Sequence, residues 1–177
     1  PLASWDTNVL NGDYIIKVIV VDTVNNSSFG TSIITVDNTP PSAAITQPLV
    51  NQVVNKTIQI KGTAGDAHFS NYKLEYLQGA GWTEFANSTS SVQTDILGGL
   101  DTSVLADGDC NIKLTVSDQA GNVSSETVSI VIDNTIPTAS IIFPTQNLVI
   151  ADTVNILGTA IDEAHFKEFK VEYGAGE

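Results

Sequence analysis

Residues 36–45 read Val-Asp-Asn-Thr-Pro-Pro-Ser-Ala-Ala-Ile, and residues 132–141 read Ile-Asp-Asn-Thr-Ile-Pro-Thr-Ala-Ser-Ile. Asp37 of the first stretch corresponds to Asp133 of the second, a spacing of 133 − 37 = 96 residues. Self-similarity at a fixed spacing of this size is typical of tandem repeats. The chain is therefore built from copies of one unit.

Further matches extend the repeat in both directions. Downstream, 62–64 (Gly-Thr-Ala) returns at 158–160, and Ala67-His68-Phe69 returns one residue later than the spacing requires, as Ala164-His165-Phe166. Upstream, 6–10 matches 101–105. These alignments predict three segments: the C-terminal half of a repeat over residues 1–37, a complete repeat over 38–133, and the N-terminal half of the next repeat over 134–177.

The hydrophobic pattern within one repeat predicts strands. Apolar and polar residues alternate over short runs, which is the period of half-buried strands, and the runs are separated by Gly, Pro, Asn and Asp. We count about seven strands and expect no helix, and the pattern therefore predicts an all-β sandwich. The clearest runs are 57–63, 72–76, 110–116 and 127–132.

Several motifs carry a resemblance to a known class of protein. The stretch 10–22, with Tyr14 after a tight turn, resembles the late-strand region of fibronectin type III and immunoglobulin-like (Ig-like) domains, and Cys110 replaces this tyrosine in the middle repeat. With the motifs 62–64, 118–122 and 132–135, the whole chain resembles the tandem Ig-like repeats of bacterial and archaeal extracellular surface proteins and adhesins. The resemblance implies tandem Ig-like sandwich domains and an extracellular or cell-surface location.

The charge balance excludes two classes of partner. Twenty Asp and Glu residues face seven basic residues, all of them lysine, for a net charge of −13. Such a chain has no basic surface for a phosphate backbone, so nucleic acid is excluded as a partner. No apolar run approaches the roughly 20 residues that span a bilayer, so we expect no membrane insertion.

Catalysis is not expected. An enzyme needs converging groups such as a nucleophile with its base or a metal cluster, and the only two histidines, His68 and His165, are the same position in two repeats. Phosphate-binding and dinucleotide-binding glycine motifs are absent from the sequence. We therefore predict that this chain is not an enzyme.

Acidic loops at the repeat boundaries suggest a calcium site. The sandwich topology predicts that the loop containing His68, the loop before the last strand and the linker entering the repeat lie at one end. Ca²⁺ takes six to eight oxygen ligands. The alternative is that Asp and Asn here only form turns. The candidate ligands are Asp37, Asn38, Asp66, Asp118 and Asn122, with Asp133, Asn134, Asp162 and Glu163 at the next boundary.

Three further side-chain roles follow from the strand pattern. Lys73 and Lys113 alternate with apolar residues, so we expect both to face solvent with Glu75 as a cross-strand partner. Trp82 and Phe85 are expected in the sandwich core, with a sugar-stacking platform as the alternative.

These observations lead to one main functional hypothesis and two alternatives. The main hypothesis is a non-catalytic structural repeat that forms the stalk or filament body of a surface protein. The alternatives are a glycan- or protein-binding adhesion module acting through its loops, and an accessory domain array of a larger secreted enzyme. The expected partners are neighbouring repeats or copies of the same chain. The sequence leaves open whether the half repeats are completed by the same chain or by another.

Overall fold

The computed structural model describes residues 1–175 and confirms the all-β prediction. Twelve strands follow one another, and a single 3₁₀ turn, Thr102–Val104, interrupts them within this part of the chain. The strands are β1 (Gly12–Val21), β2 (Ser27–Val36), β3 (Ser42–Gln47), β4 (Gln52–Val54), β5 (Thr57–Gly65), β6 (Phe69–Leu77), β7 (Trp82–Ser88), β8 (Val92–Asp101), β9 (Gly108–Asp118), β10 (Val123–Ile132), β11 (Thr138–Phe143) and β12 (Leu157–Ile161).

The middle repeat forms a sandwich of two sheets. One sheet has the order β4-β10-β9-β6-β7 and the other the order β3-β5-β8. All pairs are antiparallel except β10 with the three-residue strand β4. Alternate residues of β9 point into the space between the sheets and are almost fully buried: Cys110, Ile112, Leu114 and Val116. The alternation seen in the sequence is therefore the division between core and surface.

The Gly-Thr-Ala motif marks the closest approach of two strands. A Cβ atom at Gly62 would lie 1.9 Å from the backbone oxygen of Ala44, and one at Gly158 would lie 2.1 Å from that of Ser140. Only glycine fits at these positions, because the clash is with backbone that cannot move aside. Ala64, two residues after Gly62, is fully buried in the core.

The 3₁₀ turn is only three residues long, and the described residues form no α-helix, as the strand pattern predicts. Asp101 caps it, since its carboxylate accepts a hydrogen bond from the backbone N–H of Ser103. The Thr102 side chain donates to the carbonyl of Lys56, 2.6 Å away, and Thr102 is fully buried. The turn leads the chain from β8 into β9 and leaves the carbonyls of Thr102 and Leu105 at the end of the repeat.

The flanking segments each form one two-stranded sheet. β1 pairs with β2 over ten residues in the same register as β9 with β10, and β11 pairs with β12 as β3 pairs with β5, including a shift in register at the same place. Gly12 and Gly108 start β1 and β9 with φ angles of 107° and 116°, which favour glycine. The structure thus repeats where the sequence repeats.

One surface of the five-stranded sheet carries an ion-pair cluster. Lys113 of β9 lies directly across from Glu75 of β6, 2.9 Å from its Oε2, as expected of a cross-strand partner, and Lys73 of the same strand lies 3.0 Å from its Oε1. The Lys113 ammonium also lies 4.0 Å from the centre of the Trp82 ring. The expectation of a core position is therefore wrong for Trp82, which is 38% exposed, whereas Phe85 is half-buried against the core.

Candidate functional site

The candidate site is the junction between consecutive repeats, where an Asp-Asn pair follows the last strand. We call residues 37–41 the first junction and residues 133–137 the second junction. Each is short and contains proline, which fixes φ and removes a backbone donor. At both junctions the Asp side chain reaches forward into the next repeat and the Asn side chain reaches back into the preceding one.

The forward contact of the first junction is an Asp-His pair. Nδ1 of His68, in the loop between β5 and β6, lies 2.6 Å from Oδ2 of Asp37. The backbone N–H of Thr39 donates to the other oxygen of Asp37 at 3.0 Å. These two hydrogen bonds, first that from Thr39 and then that from His68, hold the pKa of Asp37 below its usual value. The His68 loop is itself ordered, because Asp66 accepts the backbone N–H of His68 at 2.8 Å.

The loop between β9 and β10 completes the forward contact. The amide of Asn122 donates to the backbone carbonyl of Asp37 at 3.0 Å, and more weakly to that of Thr39. Asn122 is positioned by Asp118, which accepts its side-chain amide at 2.7 Å. Burial alone would raise the pKa of Asp118, but hydrogen bonds from Asn122 and the neighbouring backbone N–H groups outweigh it and lower this pKa.

The backward contact of the first junction comes from Asn38. Its side-chain amide donates to the backbone carbonyls of Thr7 and Leu10, each at 2.7 Å. Its backbone N–H donates to the side-chain oxygen of Asn11 at 2.6 Å. One asparagine side chain thus donates to two carbonyls at the end of the preceding repeat, and the Thr7 carbonyl also accepts the backbone N–H of Leu10 at 3.0 Å.

The second junction repeats both contacts with equivalent residues. Asp133 Oδ2 lies 2.6 Å from Nδ1 of His165. The amide of Asn134 donates to the carbonyls of Thr102 and Leu105, at 2.9 and 3.2 Å. Its backbone N–H donates to Asp107, at the position of Asn11 in the preceding repeat. The Thr135 hydroxyl and this N–H hold the pKa of Asp107 below its usual value.

The structure brings most of the predicted ligands together at the first junction. Asp37, Asp66 and His68 have ligand-type atoms within 4.8 Å of one another, and Asn122 and Asp118 adjoin them. Asn38 lies apart, because its amide faces the preceding repeat. At the second junction Asp133 joins His165, Asp162 accepts the backbone N–H groups of Ala164 and His165, Asn134 faces backward, and Glu163 is exposed.

Two contributors to the junctions were missed from the sequence. The carbonyls that accept from Asn38 and Asn134 belong to 7–10 and 102–105, and backbone acceptors leave no signal in side-chain patterns. Asn11 and Asp107 did leave a signal in the sequence, because they directly precede the equivalent glycines 12 and 108 of their repeats. Their equivalence could have identified them as junction residues.

The arrangement does not resemble an open calcium cage. A calcium ion at Asp37 would have to displace the Thr39 N–H and the His68 ring from the carboxylate oxygens. Both oxygens of Asp118 are likewise engaged by donors of its own loop. Ca²⁺ prefers oxygen ligands, and His68 offers nitrogen. Calcium binding at the junctions therefore stays a prediction: the candidate residues gather at the first junction, but protein donors occupy the carboxylate oxygens of Asp37 and Asp118.

A cavity of about 500 Å³ lies beside the second junction. Residues of β4 and Ile58 line one side, and His165 and Phe166 line the other. The lining mixes apolar and charged side chains, and its shortest titratable pair in the described residues is Asp133 with His165, while Lys167 and Glu168 form a longer, exposed pair at 4.0 Å. The Asp133–His165 pair is already part of the junction, so we assign the cavity no role of its own.

Comparisons with known proteins leave the family open. No protein-family model matches the chain, and no curated protein matches it. Among solved structures, a tetra-tandem repeat in the extending region of a large adhesion protein is similar, with 21% identity, a TM-score of 0.45, and 78% of this chain and 36% of that chain covered.

A second similar structure is the endo-β-1,4-mannanase from Thermotoga petrophila. It shows 14% identity and a TM-score of 0.42, and 56% of this chain and 21% of that chain are covered. The chain thus spans about a third or less of each of these two structures. At this distance neither similarity supports an assignment of function, and the functional argument depends on the junctions.

Proposed function

We propose that this chain is a non-catalytic segment of the stalk or filament body of an extracellular surface protein. The observation that carries the proposal is that one junction is built twice from equivalent residues. Asp37 contacts His68 and Asp133 contacts His165, at 2.6 Å in both cases. A connection that recurs with the same geometry sets a constant orientation between successive domains, as an extended rod requires.

The direction of the contacts supports rigidity. Domains within one chain move relative to one another by default unless an interface holds them. Here Asp37 is tied to the following repeat and Asn38 to the preceding one. Because adjacent residues are anchored on opposite sides, bending at the linker breaks hydrogen bonds on one side or the other.

The remaining features agree with this role. The histidines, which would be the usual candidates for acid-base chemistry, are engaged at the junctions. Residues 1–175 contain no helix with the length and apolar character needed to cross a membrane. The resemblance to tandem Ig-like repeats supports placing the segment outside the cell, where a net charge of −13 favours solubility.

Distance measurements between spin labels test the rigid junction. Cysteines introduced at Thr31 in β2 and Ser90 after β7, both exposed, place labels on either side of the first junction. Cys110 is 1% exposed and stays unlabelled. Unlabelled chain in excess restricts the signal to intramolecular distances. We expect one narrow distance distribution in the unmodified junction and a broad one in His68→Ala.

The matched control is Asn71→Ala, whose side chain is exposed and hydrogen-bonds only its neighbour Ser70. It should leave the distribution narrow. Amide exchange of β1 and β2 is recorded in each sample, because an unformed hairpin would broaden the distribution irrespective of His68. A broad distribution in the unmodified chain, with the hairpin protected from exchange, would overturn the proposed stalk.

A further inference from the structure

Three metal-ligating side chains meet at the first junction. Asp37, Asp66 and His68 each offer a ligand atom, and these atoms all lie within 4.8 Å of one another. Asp37 follows strand β2 of the preceding repeat, whereas Asp66 and His68 belong to the loop between β5 and β6 of the middle repeat. An ion held by all three side chains would therefore connect two consecutive repeats.

The ligand types favour a divalent transition-metal ion over calcium. Two carboxylates and one imidazole are ligands that Zn²⁺ accepts, and imidazole nitrogen also suits other first-row transition metals. Ca²⁺, by contrast, takes oxygen ligands and would have to push the His68 ring away from Asp37. A transition-metal ion would instead bind this ring, so the contact that opposes calcium supplies a ligand.

The Asp37–His68 contact is close to the geometry that such an ion needs. Nδ1 of His68 lies 2.6 Å from Oδ2 of Asp37, and an ion bound by both atoms would replace the proton between them. Zinc bonds of about 2.0–2.2 Å hold neighbouring ligand atoms roughly 3–3.5 Å apart, so the two side chains need to separate by less than about 1 Å. The His68 side chain is 44% exposed, which leaves room for this movement and opens the pair to ions from solvent.

Backbone hydrogen bonds orient both carboxylates and leave an oxygen of each for the ion. The N–H of Thr39 donates to Oδ1 of Asp37, and the N–H of His68 donates to Oδ1 of Asp66. Each of these bonds is made to one oxygen of its carboxylate, so it can persist while Oδ2 binds the ion. Hydrogen-bond partners of this kind fix the direction of metal ligands and contribute to the affinity of a site.

The same ligand types recur at the second junction despite a change in loop length. Two residues separate Asp162 from His165, whereas one residue separates Asp66 from His68. Oδ2 of Asp133 nevertheless lies 2.6 Å from Nδ1 of His165, the same distance as at the first junction. Asp162 also accepts the backbone N–H of His165, at 2.8 Å. The three residue types are thus kept together although the loop itself differs, which turn formation alone does not require.

We propose that Asp37, Asp66 and His68 form a binding site for a divalent transition-metal ion that locks the first junction. The metal site rests on the proposed stalk, since it stiffens the contact that joins consecutive repeats. The two aspartates balance the charge of the ion, and the net charge of −13 attracts cations to the chain. Three protein ligands, instead of the four of most structural zinc sites, leave one position for water. The ion therefore exchanges with the solution, and its concentration sets the stiffness of the junction.

Calorimetric titration with Zn²⁺ tests the site. Every protein in the comparison carries His165→Ala, which removes the equivalent imidazole of the second junction. This chain is expected to bind one zinc ion, and adding Asp66→Asn or His68→Ala should weaken binding roughly tenfold or more. Asp66→Asn keeps an oxygen that accepts the backbone N–H of His68, so its effect reports the lost ligand rather than a lost loop. The matched control, Glu84→Gln, removes an exposed carboxylate of β7 and should leave the zinc affinity unchanged.

The melting temperature gives a second measurement of the same site. Zinc at about one hundred times its dissociation constant should raise the melting temperature of the His165→Ala chain by several degrees, and adding His68→Ala should abolish the rise. Absence of zinc binding, or binding that neither His68→Ala nor Asp66→Asn weakens, would overturn the metal site and leave the stalk untouched. A broad spin-label distribution would instead overturn the stalk, because calorimetry detects the bound ion whether or not the junction is rigid.

Discussion

His68 and Asp37 belong to consecutive repeats, and their side chains meet at 2.6 Å between Nδ1 and Oδ2. An ionised carboxylate only accepts hydrogen bonds, so the ring nitrogen is the donor. The Asp37 side chain is 9% exposed and the His68 side chain 44%, so the carboxylate is the sheltered partner of the pair. The integrity of the junction therefore depends on Asp37 staying ionised.

Acid is expected to loosen the first junction. The pKa of Asp37 is lowered, chiefly by the Thr39 N–H and then by His68, so folding favours the ionised form. The stabilisation is fully present above the unfolded pKa of aspartate, about 4, and is lost as the pH falls through the lowered value. The spin-label distance distribution should stay narrow from neutral pH down to this range and broaden below it.

The control for the acid effect is Asp37→Asn, which has no proton to gain at this position. The spin-label distance distribution of this variant should not change across the same acidic range. A transition in the parent chain well above this acidic range would show that a group other than Asp37 governs the contact.

Removing the Asn134 side chain is expected to destabilise the middle repeat. Asn134→Ala removes the side-chain donor shared by two carbonyls at the end of the repeat: that of Leu105, and that of Thr102, which keeps the backbone N–H of Leu105. We expect the free energy of unfolding to fall by roughly 1–2 kcal/mol, measured by urea denaturation. Asn87→Ala, an exposed edge-strand change that removes only a bond to Glu84, should have a smaller effect. Equal effects would mean that the backward contact adds no stability.

Adding a methyl group at Gly62 is expected to push β3 away from β5. The new Cβ would lie 1.9 Å from the Ala44 oxygen, well inside van der Waals contact. Gly62→Ala should lower the free energy of unfolding by about 1–3 kcal/mol or more. The matched control is Gly81→Ala, where no atom lies within 4 Å of the added group. A thermal melt of both variants decides the comparison, and equal melting temperatures would contradict the close approach.

The buried carboxylate of Glu75 is expected to contribute more to the stability of the five-stranded sheet than its exposed carboxylates do. It is 8% exposed, and its Oε2 is held by Lys113 as an ion pair without an aligned hydrogen bond. Glu75→Gln leaves Lys73 and Lys113 without their shared counter-charge. The free energy of unfolding should fall by about 1–3 kcal/mol at neutral pH. Urea denaturation measures this, with the exposed Glu84→Gln as control.

The pH dependence identifies the origin of the Glu75 effect. The ammonium groups of Lys113 and Lys73 hold the pKa of Glu75 below its usual value. The stabilisation is therefore present above the unfolded pKa of glutamate and is lost as the pH falls through the lowered value. The difference between the parent chain and Glu75→Gln should shrink in acid. A difference that persists there would indicate packing rather than charge.

A calcium titration tests the predicted metal site. Because calcium would have to displace His68 and the Thr39 N–H from Asp37, we expect the same melting temperature in excess chelator and in millimolar calcium. A rise of several degrees that is lost in Asp66→Asn would instead establish calcium as a junction ligand.

Much of the fold could be predicted from local patterns. The alternation in 110–116 and 127–132 predicted the strands that became β9 and β10, because successive strand residues point to opposite faces. The repeat spacing predicted that the Asp-Asn pair would recur at equivalent places. Topology then predicted that Asp37, Asp66 and His68 would lie at one end of the repeat, and the structure brings them together.

The direction of each junction side chain could not be predicted in this way. Asp37 and Asn38 are neighbours with similar shapes, yet one reaches forward and the other back. The difference comes from their partners, which are an imidazole in the next repeat and two backbone carbonyls in the preceding one. Those carbonyls become available only when the turn before β1 is formed.

The surface position of Trp82 also could not be predicted from the sequence. Alternation and aromatic character favoured a core position, but the residue is 38% exposed and its ring faces the Lys113 ammonium. Trp82 is the first residue of the edge strand β7 and lies on the outer face of the sheet, beside Lys113 of β9. A cation over the ring supplies the contact that the core does not.

Two segments with the same sequence pattern differ in secondary structure, so the local sequence alone does not determine which segment forms a strand. Residues 72–76 and 169–173 share the alternation of aromatic, lysine, aliphatic, glutamate and tyrosine, and this pattern makes both capable of forming a strand. The first lies within β6, between β7 and β9, whereas the described residues 162–175 form no strand. Sequence thus sets the repeat, the strand period and which residues belong inside. Whether a given segment becomes a strand depends on neighbours in space, because the hydrogen bonds and apolar burial that stabilise a strand are provided by the strands beside it and the sheet opposite.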